Sequence, residues 1–176
     1  MRKKTSIALG LAMVLGTAGF LFAQRQRVSP HETVNATIGG KKITIEYGRP
    51  YKKGRNLWAD PIAPYGKVWR AGADEATKLT TDADLMIGSV HVPAGKYSLF
   101  AIPGEKQWTL VVNKVADQWG AFKYDQTQDL GRTSMKVETA PETEQFTIAI
   151  EPKGGSNATL RMTWGTVSAT APIMVH

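Results

Sequence analysis

KYSLFAIPGEKQWTLVVN, residues 96–113, consists of two short runs joined at Pro103-Gly104-Glu105-Lys106. Tyr97, Leu99 and Ala101 fall on one side of the first run, and Trp108, Leu110 and Val112 on one side of the second. A period of two is the spacing of a β-strand, whose successive side chains point to opposite faces. The other side is apolar as well, through Phe100, Ile102 and Val111. A strand that is apolar on both faces is covered on both. The two runs are therefore expected to form a hairpin in the middle of the protein.

The same spacing recurs on either side. Upstream, residues 33–38 and 42–47 flank Gly39-Gly40, a link of the kind that closes β-hairpins. Residues 78–81, 85–87 and 90–92 read as further short strands, the last two separated by Gly88-Ser89. Downstream, residues 134–138, 145–151, 158–164 and 166–171 continue the pattern, with Gly165 expected to break the chain between the last two. With almost no helical period, the chain is predicted to be all-β: an antiparallel, jelly-roll-like β-sandwich of about ten strands with two long irregular loops. A closed barrel alternates in the same way and is the alternative.

Residues 1–23 stand apart from this pattern. Arg2, Lys3 and Lys4 precede an apolar run of 17 residues from Ile7 to Ala23. A basic start, an apolar stretch and a small residue at its exit read as a secretory signal peptide cleaved after Ala23, so the protein is expected in the periplasm or secreted. An uncleaved anchor is the alternative, but the run is rich in Ala and Gly, and no stable membrane span is expected after cleavage. Residues 24–32 read as a flexible lead-in and 33–176 as a single domain.

Cleavage would remove three cations from a formal net charge of +7, leaving a mildly basic chain without Lys or Arg runs. That is too diffuse for a nucleic-acid partner. The absence of cysteine excludes disulfides, a thiolate nucleophile and thiolate-bound metal. His31, His91 and His176 lie far apart in sequence, so no metal ligands are assigned. Ser98 sits inside a strand rather than on a glycine-flanked elbow, and no phosphate-cradling or dinucleotide loop is present. No catalytic residue and no cofactor are assigned.

Candidate binding chemistry is concentrated in the two stretches without strand alternation, residues 51–76 and 114–133. They hold Trp58, Trp69, Trp119, Tyr65 and Tyr124 among Arg55, Arg70, Asp74, Glu75, Lys123, Asp125, Asp129 and Arg132. Aromatic rings beside guanidinium and carboxylate groups can stack on and orient a small polar ligand or a glycan. If the stretches meet at one end of the sandwich, Trp69, Arg70, Glu75, Trp119, Tyr124 and Arg132 would line a concave patch with Arg49 at its edge. Alternatively the aromatics form a satellite core under the loops, with Arg70–Glu75 and Asp129–Arg132 as ordinary ion pairs. A carbohydrate-active or other hydrolytic enzyme using Asp74, Glu75 and Asp129 is a further reading, as is a structural envelope protein.

Several segments carry a family resemblance: Gly48-Arg49-Pro50, Gly54-Arg55, Tyr65 to Arg70 (YGKVWR), Gly72-Ala73, Glu75-Ala76-Thr77 and Pro93 to Phe100 (PAGKYSLF). Ile102-Pro103, Trp108, Asn113-Lys114, Trp119-Gly120, Tyr124 and Arg132 extend it. Together they resemble the bacterial family of exported proteins catalogued as domain of unknown function 2911. The resemblance implies export and supplies no activity, cofactor or substrate. Asp74 stands where that motif is expected to carry asparagine. Mass spectrometry of the protein recovered outside the cytoplasm is expected to show a chain beginning at Gln24; an intact chain held in the membrane would favour the anchor.

Overall fold

The computed structural model describes residues 28–176. The signal peptide read over residues 1–23, and residues 24–27 of the lead-in, lie outside the described residues. Nine strands follow in chain order: β1 (His31–Ile38), β2 (Lys41–Gly48), β3 (Ala73–Thr81), β4 (Leu85–Ile87), β5 (Val90–Val92), β6 (Gly95–Ile102), β7 (Gln107–Asn113), β8 (Asp129–Gly154) and β9 (Asn157–Val175). The one helical element among the described residues is a 3-10 turn, Gln126–Gln128, capped by the Asp125 side chain. β1 begins at His31, so the last two residues of the expected lead-in are strand.

All pairings are antiparallel, in the order β1-β2-β3-β6-β7-β8-β9-β4-β5. The sheet is not closed into a barrel; its outer strands, β1 and β5, are not hydrogen-bonded to each other. It folds across itself so that β1 packs against β8 and β9. β8 makes this possible. Its first part pairs with β7 and the rest with β9, through register shifts between Thr139 and Thr147.

Two expected breaks are bulges inside long strands. Residues 134–138 and 145–151 are parts of β8, and residues 158–164 and 166–171 are parts of β9. Gly165 adopts a left-handed φ of 57°, yet the ladder continues through it, opposite Thr143. A glycine in a strand marks a bulge as readily as an end.

The β6–β7 hairpin is central, as its sequence implied, and both of its faces are covered. Leu99, Ala101, Trp108, Leu110 and Val112 belong to the main core, while Phe100 and Val111 form a second cluster with Ala76 on the opposite face. Trp108 and Trp164 are buried, as expected of tryptophans in strands. Trp69, from the irregular stretch, lies with them at 4% exposure. Its ring stacks on Trp164 at 5.7 Å and 13°, and meets Phe146 edge-on at 4.9 Å. Trp58 packs edge-on against Trp108 at 5.2 Å. The first irregular stretch therefore completes the main core.

Burying an aromatic ring this fully makes its removal costly. Trp69→Ala and Phe146→Ala are each expected to lower unfolding stability by about 3–5 kcal/mol in urea titrations.

Candidate functional site

The first irregular stretch is tied to the sheet at both ends. At its start Phe146 donates its backbone N–H to Pro50 O at 2.9 Å, and Lys52 N–H donates to Glu144 O at 2.7 Å. Toward its end Trp69 and Ala101 exchange two backbone hydrogen bonds of 2.8 Å. From Trp69 into the start of β3 the chain turns through two non-glycine residues with positive φ, Ala71 at 51° and Asp74 at 63°. Thr77 fastens this turn, its Oγ1 donating to Ala71 O at 2.6 Å.

The two irregular stretches do meet. Ala76 N–H donates to Gln118 O, and Gly120 N–H donates to Asp74 O, both at 3.0 Å. They bracket an isolated bridge between Glu75 and Trp119. Gly120 has a φ of 62°, and a Cβ there would come within 3.0 Å of an Arg70 terminal nitrogen. The second stretch thus covers the Arg70 guanidinium through a position where glycine leaves room.

Beside this junction lies a cleft of about 360 Å³, with the buried Trp69 and Trp164 at its base and Pro50, Tyr51 and Ile62 around it. Its charged lining is Lys53, Arg55, Arg70 and Asp74, an excess of positive charge. Arg55 is occupied, donating to the carbonyls of Lys52 and Tyr51. Arg70 is not. Its Nε donates to Gly72 O at 3.3 Å, and among the described residues no carboxylate pairs with it. Burial pushes its pKa down, and the Asp74 carboxylate partly offsets that. Among the described residues no buried side-chain nitrogen or oxygen lacks a partner, so the terminal nitrogens of Arg70 are not fully buried.

The seven residues expected to line one patch occupy four places. Arg70 lines the cleft, whereas Trp69 is a core residue beneath it. Glu75 and Trp119 face each other where the stretches join, and Trp119 is 57% exposed. Tyr124 and Arg132 belong to a network around Asp129. The Asp129 carboxylate accepts from Tyr124 Oη at 2.7 Å, Arg132 Nε at 2.8 Å and Asn113 Nδ2 at 3.0 Å. Tyr124 also packs edge-on against Phe100 at 5.0 Å. Burial and the hydrogen bond to Asp129 push its pKa up to about 12, against the pull of Arg132. Arg49 lies elsewhere again, cross-linking Glu32 of β1 to Phe146 O and Thr147 of β8. Of the two ion pairs considered, Asp129–Arg132 forms, whereas Arg70 and Glu75 do not pair.

The hydrolytic reading required Asp129 opposite Asp74 or Glu75. Asp129 lies opposite Asn113 of β7, which lies opposite Ser98 of β6, which lies opposite Lys78 of β3. Three inter-strand steps separate the backbones of Asp129 and Lys78 by roughly 14 Å, so Asp129 and the Asp74–Glu75 pair stand on strands that are not neighbours. Sequence reasoning also missed a cluster, because its members lie 43 residues apart. His31 Nε2 is 3.0 Å from Asp74 Oδ2 and 3.5 Å from Glu75 Oε2.

Residues 29–173 match the family described as "Protein of unknown function (DUF2911)". No curated protein and no solved structure matches the chain.

The surroundings of the two aromatic side chains separate structural from exposed roles. Tyr124→Phe removes a hydroxyl shared by Asp129 and Arg132 and is expected to cost about 1–2 kcal/mol. Trp119→Ala, at an exposed position, is expected to stay within about 0.5 kcal/mol of the parent. Equilibrium unfolding in urea checks both.

Proposed function

We propose that this chain, which belongs to the DUF2911 family of unknown function, is an exported, non-catalytic binding module for a small polar anion. The ligand would carry a carboxylate or phosphate and occupy the cleft over Trp69 and Trp164. The observation that carries this reading is Arg70, a half-buried guanidinium whose single hydrogen bond goes to a backbone carbonyl. A guanidinium presents its donors as a planar fork that matches both anions, and a desolvated one gains more from such a partner than an exposed one does. Lys53 beside it adds positive charge, and the aromatic base adds apolar contact. An acidic sugar meets all three requirements, which keeps glycans within the ligand class. Export rests on the basic, then apolar, start of the sequence.

The test is a thermal-shift screen of dicarboxylates, sugar phosphates and uronic acids, with neutral sugars of matched size as controls. An anion at 100 times its dissociation constant is expected to add about 2.7 kcal/mol of stability. Arg70→Ala is expected to abolish that gain while leaving the unliganded fold within about 1 kcal/mol, because no ion pair is broken. Stabilisation by neutral sugars alone, or equal anion binding by the parent and Arg70→Ala, would overturn the reading.

A further inference from the structure

We propose that His31, Asp74 and Glu75 form a binding site for one divalent transition-metal ion, with zinc the best match to its donors. One imidazole nitrogen and two carboxylate oxygens, one from each residue, lie within 4.8 Å of one another. A tetrahedral ion with bonds of 2.0–2.1 Å holds its donor atoms about 3.3 Å apart. The His31–Asp74 and His31–Glu75 separations of 3.0 and 3.5 Å lie on either side of that value. Imidazole with carboxylate suits zinc and its neighbours in the first transition row, whereas calcium takes a shell of six to eight oxygens and copper(I) seeks sulfur.

The backbone brings these donors together from two strands that are not neighbours. His31 of β1 pairs with Gly48 of β2, and Gly48 pairs with Ala73 of β3, so the three residues form one row across the sheet. The middle position has no side chain. A Cβ at Gly48 would lie 2.3 Å from Ala73 O. The imidazole therefore crosses over a bare backbone to reach β3. On β3, neighbouring side chains should point to opposite faces. The left-handed φ of 63° at Asp74 breaks that alternation, and the Asp74 and Glu75 carboxylates both reach His31. Donors fixed on strands keep their geometry better than donors on loops. A groove of about 200 Å³ beside His31 and Glu75 leaves room for water or a ligand in the remaining coordination position. This site shares Asp74 with the cleft lining but does not rest on the anion reading, and its test uses the metal alone.

The full chain without an affinity tag, stripped by chelator, is titrated with Zn²⁺ by calorimetry and with Co²⁺ by visible absorption. One equivalent of Zn²⁺ is expected to bind, and Co²⁺ is expected to give a d–d band that Zn²⁺ abolishes. His31→Ala, Asp74→Asn and Glu75→Gln are each expected to weaken binding by more than about tenfold. Asp74→Asn removes the charge while keeping a residue that tolerates the left-handed backbone. His91→Ala is the control, because His91 and His176 form a separate pair with ring centroids 6.4 Å apart. Absence of one-equivalent binding, or binding lost with His91→Ala and kept in the His31, Asp74 and Glu75 variants, would overturn the proposal.

Discussion

The stacked indoles of Trp69 and Trp164, 5.7 Å apart and 13° from parallel, join the irregular stretch to the longest strands of the sheet. Phe146 closes against both rings, and Trp108 meets Trp69 edge-on. Aromatic pairs in these arrangements contribute about 0.5–1.5 kcal/mol beyond the area they bury. Their geometric consequence matters more. With Trp69 fixed against Trp164, the backbone on either side of it is placed, and so are Arg70, Asp74 and Glu75. The cleft has its aromatic base because the same two rings are the top of the core. A defect in this packing would disturb fold and candidate sites together.

The second constraint is the close approach of β2 and β3 at Gly48. The carbonyl of Ala73 occupies the space a side chain would need, and a Cβ at Gly72 would lie 2.8 Å from Gly48 O. Each glycine thus makes room for the backbone beside the other. The contact draws the end of the irregular stretch against β2 and forces the chain through the Ala71–Asp74 turn. Thr77, fully buried, donates to Ala71 O and accepts the resulting geometry as part of β3. Arg70 and Asp74 both line the cleft beside this turn, and the Asp74 and Glu75 carboxylates also lie against His31.

Fold class, the central hairpin and the strand tryptophans were legible in the sequence, because alternation reports directly which face of a strand is buried. Strand continuity was not. Gly165 and residues 139–147 carry the local signals of turns, and only long-range pairing between β8 and β9 turns those signals into bulges. Local composition singled out the two irregular stretches, and these do join at Glu75 and Trp119. Composition could not say which way each ring would face. Trp69 and Trp119 look alike in sequence, yet one lies beneath the sheet and the other on the surface. His31 was invisible for a different reason. Its partners depend on the β1–β2–β3 register and on the bare Gly48 position, neither of which appears as sequence spacing.

The turn between Trp69 and Thr77 has a cost that its neighbours help to explain. An L-residue in the left-handed region is disfavoured by roughly 1–2 kcal/mol, and Ala71 and Asp74 both occupy it within four residues. At Ala71 the methyl group is fully buried in the main core, so its packing offsets the backbone term. At Asp74 the term is smaller, since aspartate is among the side chains that tolerate this region, and its side chain is only partly buried. What its conformation achieves is directional: the backbone carbonyl accepts from Gly120, and the carboxylate turns toward His31. Backbone strain of this kind persists where surrounding structure holds it, and it is found most often at ligand sites and switches. The residue that borders the cleft, anchors the second irregular stretch and contacts the histidine is therefore also the one whose left-handed backbone sets the direction of its own carboxylate.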